Sequence, residues 1–359
     1  MVSAGRHAVS RMRARAVVFA ALLLLVFLLF LRTSPIAEPP PAPEVSDGIE
    51  VRFTRPSLVG PQILRGGPEA ALAGAIDEAD QSVAMAIYDL DLASVADALL
   101  RAQGRQVEVR LVVESDNLDT PEIHKLIAAG IPVVGDGGEP LMHDKFTLID
   151  GKEVWTGSMN YTVNDAYFND NNLIRLVSSP AAFVYAAEFN EMFGQMRFGA
   201  LSTLGSGPQV VALPAGPAEI YFSPEDGASA RIVELIGNAQ DDLVFLAFAL
   251  TSEPIAAALE QRVAAGVEVR GVMDAGQANG AGSRYEQLRQ AGVEVRLDGN
   301  PDRMHHKVIV IDGRTVITGS YNFSRSAETR NDENVVILHD ANLAARFLEE
   351  FERVFALAH

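Results

Sequence analysis

The chain has 359 residues and contains 47 Asp and Glu against 29 Lys and Arg, a formal net charge of -18. Five of the basic residues precede residue 35, so the remaining body has 24 basic against 47 acidic side chains, which disfavours avid, sequence-independent binding to nucleic acid. The absence of cysteine excludes disulfides, thiolate metal sites and cysteine nucleophiles.

The N-terminal segment has the composition of a membrane anchor. Residues 1–15 are basic, and residues 16–33 begin with the unbroken apolar run AVVFAALLLLVFLLFL. At 1.5 Å per residue this run spans about 24 Å, and flanking arginine stems extend it toward the roughly 30 Å hydrocarbon core. A cleaved signal peptide is the alternative, but a cut after Ala37 would place Pro35 at the minus-three position. We therefore expect a single-pass signal anchor in the cell membrane, with the basic end cytoplasmic and the body extracytoplasmic.

A proline-rich stretch follows at 34–48 and predicts an extended spacer between anchor and body. Beyond it we expect two halves, 49–198 and 218–359, joined by a Gly- and Pro-containing linker at 199–217. Both halves show strand and helix patterns in the same order. The predicted strands are 51–53, 83–88 and 107–113, then 220–222, 243–250 and 267–273, and the predicted helices are 69–80, 92–103, 230–240 and 253–265. Strands alternating with helices of this length predict an α/β sandwich in each half.

An internal repeat is the strongest signal in the sequence. Residues 143–160 read HDKFTLIDGKEVWTGSMN and residues 305–322 read HHKVIVIDGRTVITGSYN, an offset of 162 residues. The same offset relates Asn172 to Asn334 and continues into a long closing helix of each half. The sequence therefore predicts a duplicated framework whose halves are related by a pseudo-twofold axis.

Each repeat places polar side chains near the ends of two successive strands. Because strand side chains alternate with a period of two, the His and the Lys of His-x-Lys lie on one face. The polar residues at these strand ends, which are the candidate site residues, are His143, Lys145, Ser158, Asn160, His305, Lys307, Ser320 and Asn322. Asp150 and Asp312 close the motif strands at the far end, each before a glycine, and are expected to be architectural.

Two such halves facing each other can cleave a phosphodiester. One imidazole can attack phosphorus while the other protonates the departing oxygen and later activates water. Two lysines and two asparagines can stabilise the charge on the non-bridging oxygens. Because the lysine side chains can supply the positive charge that stabilises these oxygens, we expect no metal ion and no cofactor at the site.

The paired HxKxxxxDGxxxxxGSxN pattern resembles the phospholipase D superfamily, particularly its compact branch of bacterial endonucleases and mitochondrial-type lipases, over residues 50–359. The resemblance implies a phosphohistidine intermediate. It implies His143 and His305 as nucleophile and general acid/base, and Lys145 and Lys307 as phosphate-binding residues. It further implies that the serines and asparagines of the two Gly-Ser-x-Asn segments contribute to substrate binding.

The two halves differ in one position that this family often uses to orient an imidazole. Glu333 lies 28 residues after His305, but the matching position of the first half is Asn171, beside Asp170. The two histidines are therefore expected to differ in basicity, and we assign His143 as the nucleophile. His306 is expected to point to the opposite strand face and to serve packing.

The expected activity is that of a phospholipase D-type phosphodiesterase, which releases phosphatidic acid and an alcohol from a phospholipid. A metal-independent endonuclease of the same superfamily is the first alternative, and a membrane-tethered, non-catalytic binding protein is the second. Phospholipid and membrane are the expected partners, nucleic acid is disfavoured, and the chain is expected to be a monomer.

Overall fold

The computed structural model describes residues 48–57, 64–138, 140–202 and 209–359. The predicted basic segment, the anchor and all of the spacer except Gly48 lie outside the described residues. Within those ranges, each helix is too short or too polar to span a bilayer.

The first half forms a seven-stranded sheet. Its strands are β1 (Ile49–Phe53), β2 (Ser82–Ile87), β3 (Glu108–Val113), β4 (Val133–Gly135), β5 (Lys145–Ile149), β6 (Glu153–Gly157) and β7 (Asn172–Val177). They lie in the order β1-β7-β6-β5-β2-β3-β4. The strands β2, β3 and β4 are parallel, while β5 runs antiparallel to β2 and pairs with β6 as a hairpin. The motif strand β5 therefore lies at the centre of its sheet.

The second half repeats this order and adds one strand. Its strands are β8 (Gln209–Leu213), β9 (Gly216–Ser223), β10 (Asp242–Ala247), β11 (Glu268–Met273), β12 (Glu294–Leu297), β13 (Lys307–Ile311), β14 (Thr315–Gly319) and β15 (Glu333–His339). They lie in the order β12-β11-β10-β13-β14-β15-β9-β8. The predicted linker 199–217 was wrong in its second part, because residues 209–217 belong to the β8–β9 hairpin, whose apolar pattern was too short to distinguish from a loop.

Helices cover both sheets. They are α1 (Pro68–Glu78), α2 (Ala93–Gly104), α3 (Pro121–Ala128), α4 (Val163–Tyr167), α5 (Ser179–Gln195), α6 (Ala228–Gly237), α7 (Glu253–Ala264), α8 (Ala275–Ala278), α9 (Tyr285–Gln290), α10 (Arg325–Thr329) and α11 (Ala341–Leu357). The closing helices α5 and α11 are related by the 162-residue offset of the repeat. The predicted duplication of an α/β unit is confirmed.

Three apolar clusters fill the fold. The central one joins both sheets with α5 and α11, and it contains Phe146 and Leu148 of β5 together with Val308 and Val310 of β13. The two outer clusters pack α1 to α3 on the first sheet and α6, α7 and α9 on the second. Since both faces of each sheet are covered, the motif strands are nearly continuous apolar runs. This burial fixes β5 and β13 rigidly beneath the polar residues that precede them.

Candidate active site

The motif histidines and lysines stand at the entrance to β5 and β13. His143 and His305 are 9% and 6% exposed, while Lys145 and Lys307 are each 1% exposed. Lys145 Nζ donates to the carbonyl oxygen of His143 at 2.8 Å, and Lys307 Nζ donates to that of His305 at 2.7 Å. Each ammonium group is thereby held beside the imidazole of its own motif.

An aromatic ring that the sequence analysis missed supports each motif. Tyr88 packs edge-on against His143 at a centroid distance of 4.9 Å, and Phe248 packs against His305 at 4.6 Å. The same rings lie 5.0 Å from Lys145 Nζ and 4.8 Å from Lys307 Nζ. Both aromatics directly follow a core strand, β2 or β10, and this shared position was the available signal.

The imidazoles are held crosswise by residues of the opposite half. His143 Nδ1 donates to Glu333 Oε2 at 2.7 Å, because an ionised carboxylate can only accept. His305 Nδ1 donates to Asn171 Oδ1 at 3.0 Å, and the Asp165 carboxylate lies 3.5 Å away. Among the described residues, neither imidazole Nε2 has a hydrogen-bond partner. The structure therefore brings both motifs into one site.

Backbone pairing between the halves sets this arrangement. The His143 N–H donates to the carbonyl of Asp332 at 3.0 Å, and the His305 N–H donates to that of Asp170 at 2.9 Å. The reciprocal contacts express the pseudo-twofold relation. They also explain why Glu333, in the second half, faces the imidazole of the first.

Burial lowers the pKa of each basic group in the site. Burial lowers the pKa of His143 and Glu333 partly offsets this, while burial, Lys307 and Lys145 hold the pKa of His305 well below its ordinary value. Burial lowers the pKa of Lys145 to about 8, and burial and the neighbouring Lys145 hold that of Lys307 well below the value of an ordinary lysine. Because the loss of hydration disfavours every cation here, the site has a strong electrostatic demand for an anion.

Ser158 and Ser320 lie behind the imidazoles. Ser158 Oγ donates to Asn171 Oδ1 at 2.8 Å, and Ser320 Oγ accepts the backbone N–H of Asn334 at 3.0 Å. Both serines are fully buried. Each hydroxyl makes a hydrogen bond within the framework, and the predicted contact of these serines with substrate stays a prediction.

The glycine before each serine permits a close strand approach. A Cβ at Gly157 would lie 2.4 Å from the carbonyl oxygen of Asn172, and one at Gly319 would lie 2.2 Å from that of Asn334. Both glycines also have φ values in the region that L side chains rarely adopt, 147° and 142°. The Gly of the Gly-Ser-x-Asn segment is therefore required by packing.

Asn160 and Asn322 have free amide oxygens. The Oδ1 atoms of both are buried and have no hydrogen-bond partner among the described residues. The Asn160 backbone N–H donates to Asp165 Oδ2 at 2.7 Å, which fixes the chain at that point. An amide whose polar atoms are unpaired in the protein retains its capacity to bind a ligand.

Asp150 and Asp312 lie at the far end of the motif strands and do not contact the imidazoles. Asp150 accepts backbone N–H groups of residues 80–82 at 2.7–3.0 Å, and Asp312 accepts those of residues 240–242 at 2.8–3.3 Å. Their own φ values are 53° and 50°, in the left-handed region that Asp tolerates better than most residues. Both contact patterns are those of a turn that fixes the strand end.

The residue between His and Lys joins the halves in a second buried layer. Asn172 Nδ2 lies 3.1 Å from His306 Nδ1, and Asn334 Nδ2 donates to Asp144 Oδ1 at 2.7 Å. His306 faces away from His143 and His305 and contacts Glu350, and this confirms the prediction from strand alternation. The contribution of Asn172 and Asn334 was missed, although their match in the repeat was visible.

Comparison with known proteins agrees with this geometry. A family model described as "Cardiolipin synthase, PLD-like domain" matches residues 72–193 and 232–355. A mitochondrial cardiolipin hydrolase of Chlamydomonas reinhardtii is 37% identical over 134 residues, covering 37% of this chain and 60% of the relative. A phospholipase D of Rickettsia bellii is 36% identical over 130 residues, covering 36% of this chain and 65% of the relative. The chain thus spans less than two thirds of the length of these relatives.

A solved structure supports the arrangement of both halves. The phosphatidylserine synthase of Haemophilus influenzae Rd KW20 matches with a TM-score of 0.64 at 12% identity, covering 86% of this chain and 89% of the other. At that identity the likeness concerns the fold alone. The family model, by contrast, matches twice, once in each half, and covers more than half of the sequence. The chain therefore belongs to the PLD-like domain family of the phospholipase D superfamily.

Proposed function

We propose that this protein hydrolyses the headgroup phosphodiester of a phospholipid and releases phosphatidic acid and an alcohol. The observation that carries the proposal is the crosswise support of two imidazoles, each bound at Nδ1 and each with a free Nε2 beside a lysine. A pair of this kind can supply a nucleophile and a proton donor to one phosphorus atom.

His143 is the proposed nucleophile. Its Nε2 attacks phosphorus, the bond to the headgroup oxygen breaks, and protonated His305 donates its proton to the leaving alkoxide. The resulting phosphoimidazole carries a positive charge, which the Glu333 carboxylate at Nδ1 stabilises. Neutral His305 then takes a proton from water, the hydroxide attacks phosphorus, and the bond to His143 breaks to give phosphatidic acid.

Four further groups are proposed to bind the phosphate oxygens. The ammonium groups of Lys145 and Lys307 carry the positive charge, and the unpaired side chains of Asn160 and Asn322 add hydrogen-bonding capacity. An anion bound between them would raise the lowered pKa values of the histidines and lysines. Substrate binding would therefore help to protonate the general acid.

A lipid substrate is favoured over nucleic acid by the charge of the body. Its 24 basic and 47 acidic residues provide no long-range attraction for a polyanion. The named relatives, a cardiolipin hydrolase and a phospholipase D, also support a lipid. Because an acidic body is repelled by an anionic bilayer, we propose that zwitterionic headgroups are preferred over cardiolipin.

The proposed anchor at 16–33 would hold the body near this substrate, outside the cytoplasm, at high effective concentration. The protein should then remain in the membrane fraction after a carbonate wash. A reporter that works only outside the cytoplasm should be active when fused after Pro43. Release of a shortened, soluble form would instead show a cleaved signal peptide.

The substrate proposal is tested with the full-length protein in detergent. It is assayed in parallel on vesicles of phosphatidylcholine, phosphatidylethanolamine and cardiolipin and on single- and double-stranded DNA, with His143→Ala as the inactive control. We expect release of choline or ethanolamine with formation of phosphatidic acid, and weak or absent DNA cleavage at physiological salt. Efficient DNA cleavage without lipid turnover would replace the lipase proposal by the endonuclease alternative.

A further inference from the structure

A buried ionic cluster in the second half closes the interface with the first. Glu350 on α11 accepts from His306 Nε2 at 3.2 Å, from Arg353 Nη2 at 2.7 Å and from Arg55, which follows β1 of the first half. Arg353 also donates to Asp170. Two buried carboxylates are thus surrounded by two guanidinium groups and an imidazole.

The pseudo-equivalent cluster in the first half contains carboxylates in place of these cations. The offset of 162 residues relates Glu350 to Glu188, His306 to Asp144 and Arg353 to Glu191. In the other direction it relates Asp170 to Asp332. By strand register Phe53 corresponds to Phe222, so the counterpart of Arg55 is Pro224, and the acidic Glu225 is the next residue. Two of the three cations, His306 and Arg353, have thus been replaced by acids, Arg55 has no cationic counterpart, and the two acids have been kept.

Three of these carboxylates converge. Glu188, Glu191 and Glu225 each place one oxygen within 4.8 Å of the others. Ser202 Oγ lies 3.0 Å from Glu191 Oε2 and 2.8 Å from Glu225 Oε1, and its single proton cannot be donated to both. Arg197 Nη1 lies 3.5 Å from Glu191 Oε1, and because the Arg197 side chain is 44% exposed, solvent weakens this ion pair.

Two fully buried acids border this group and point to a missing cation. Asp144 and Asp332 are 0% and 1% exposed, and the Oδ2 atom of each has no hydrogen-bond partner among the described residues. Asp144 shares its strand face with Phe146, whose ring packs on Tyr185, one helical turn before Glu188. The Asp144 side chain therefore lies on the strand face that packs against α5, the helix that carries Glu188 and Glu191.

Asp332 is attached to the cluster from the other side. Its Oδ1 accepts the N–H of Gly199 at 2.6 Å, and Gly199 in turn accepts the N–H of Ser202, the residue that bridges the two glutamates. The segment 203–208 that follows Ser202 contains no charged residue. Unpaired buried carboxylates of this kind are retained only with a counter-ion or a bound proton.

We propose that Glu188, Glu191 and Glu225 bind one divalent cation, Ca²⁺, which takes the place that guanidinium groups occupy in the second half. Carboxylate and hydroxyl oxygens are hard ligands, and Ca²⁺ accepts flexible oxygen coordination at about 2.3–2.6 Å. A spacing of 4.8 Å is within reach of a single ion at such distances. The ion would link α5 of the first half to the turn after β9 in the second.

The site is tested by thermal unfolding of the full-length protein in detergent, after removal of metals with EDTA. Calcium at about one hundred times its Kd should raise the Tm by roughly 5 °C. Glu225→Gln should lose this response, while Glu349→Gln, an exposed glutamate on α11, should keep it. Calorimetric titration with CaCl₂ should show one ion bound per chain in the wild type and none in Glu225→Gln.

A second variant tests whether an arginine side chain can replace the calcium ion in the cluster. Glu191→Arg restores the residue type found at Arg353, so in EDTA its Tm should equal or exceed that of the wild type, with no response to calcium. Absence of both calcium binding and a calcium-dependent Tm in the wild type would overturn the proposal and indicate that protons neutralise the cluster. An equal calcium response in Glu225→Gln and Glu349→Gln would overturn it as well. These readouts do not depend on the substrate of the enzyme.

Discussion

Glu333 lies in the second half of the chain, yet it contacts the imidazole of the first half. The corresponding residue of the first half, Asn171, contacts the imidazole of the second through a neutral amide. The two histidines therefore differ in the charge of the side chain that is hydrogen-bonded to Nδ1. This single difference gives a physical basis for assigning them different parts in one reaction.

Glu333→Gln tests the stabilisation of the charged intermediate. The amide keeps a hydrogen-bond acceptor for His143 Nδ1 but removes the negative charge. We expect kcat to fall about 100-fold or more on a chromogenic phosphodiester. The fold should be unchanged by circular dichroism, and Glu349→Gln should retain activity. A loss of less than about threefold would show that His143 does not carry the phosphoryl group.

The pH dependence follows from the electrostatics of the empty site. Burial lowers the pKa of His143 from 6.5, with partial compensation by Glu333, and burial and the lysines lower that of His305 well below 6.5. The bell-shaped profile of kcat/KM peaks between the two apparent pKa values of the pair. Since both values are lowered, the optimum should lie below pH 6.5.

Asn171→Asp provides a directed shift of that optimum. A carboxylate at His305 Nδ1 stabilises the imidazolium and raises its pKa. Because the pKa of His305 is the lower one of the pair, the acid limb of kcat/KM should move to higher pH. Measurement of kcat/KM across the acid and neutral range for wild type and variant checks both statements. An optimum above 6.5 in the wild type, or an unmoved limb in the variant, would contradict them.

At the scale of elements, the spacing that the two motifs of this chain share has two separate causes. The start of β5 and β13 carries the reactive groups, and the end of each strand carries a turn closed by Asp150 or Asp312. Burial would raise the pKa of Asp150, but the backbone N–H groups of Asp80, Ser82 and Gln81 outweigh it and lower the pKa. A carboxylate bound in this way stabilises the folded state above its ordinary pKa, and this contribution is lost on acidification.

Asp150→Asn and Asp312→Asn separate stability from catalysis. Each half-buried carboxylate loses charge-assisted hydrogen bonds to the preceding helix end, while Asn still tolerates the left-handed backbone. We expect each variant to lose about 1 kcal/mol of unfolding free energy in urea, with kcat nearly unchanged. A fall in kcat comparable to that of the histidine variants would assign these aspartates to the chemistry.

The whole molecule shows which features the sequence could predict. The repeat predicts the duplication and the central motif strands. Strand alternation predicts that His306 points away from His143 and His305. The sequence could not predict that Glu333 contacts the imidazole of the first half and Asn171 that of the second. Strand alternation gives the face on which a side chain lies, but not which residues of the other half lie opposite it. The acidic cluster was missed for the same reason, since Glu188 and Glu225 belong to different halves.

Because both halves contribute residues to one site, we expect that neither half is active alone. Polar contacts cross between the halves at buried positions, such as Thr156 Oγ1 to Asn334 Oδ1 at 2.7 Å, so each chain assembles its own pair of motifs. His143→Ala and His305→Ala should each lower kcat at least about 1000-fold, because the two groups act in sequence on one phosphorus. A mixture of the two variants should regain no activity, since neither chain contains both imidazoles. Half of the wild-type rate in either variant would show two independent sites, and recovery on mixing would show that halves of different chains exchange.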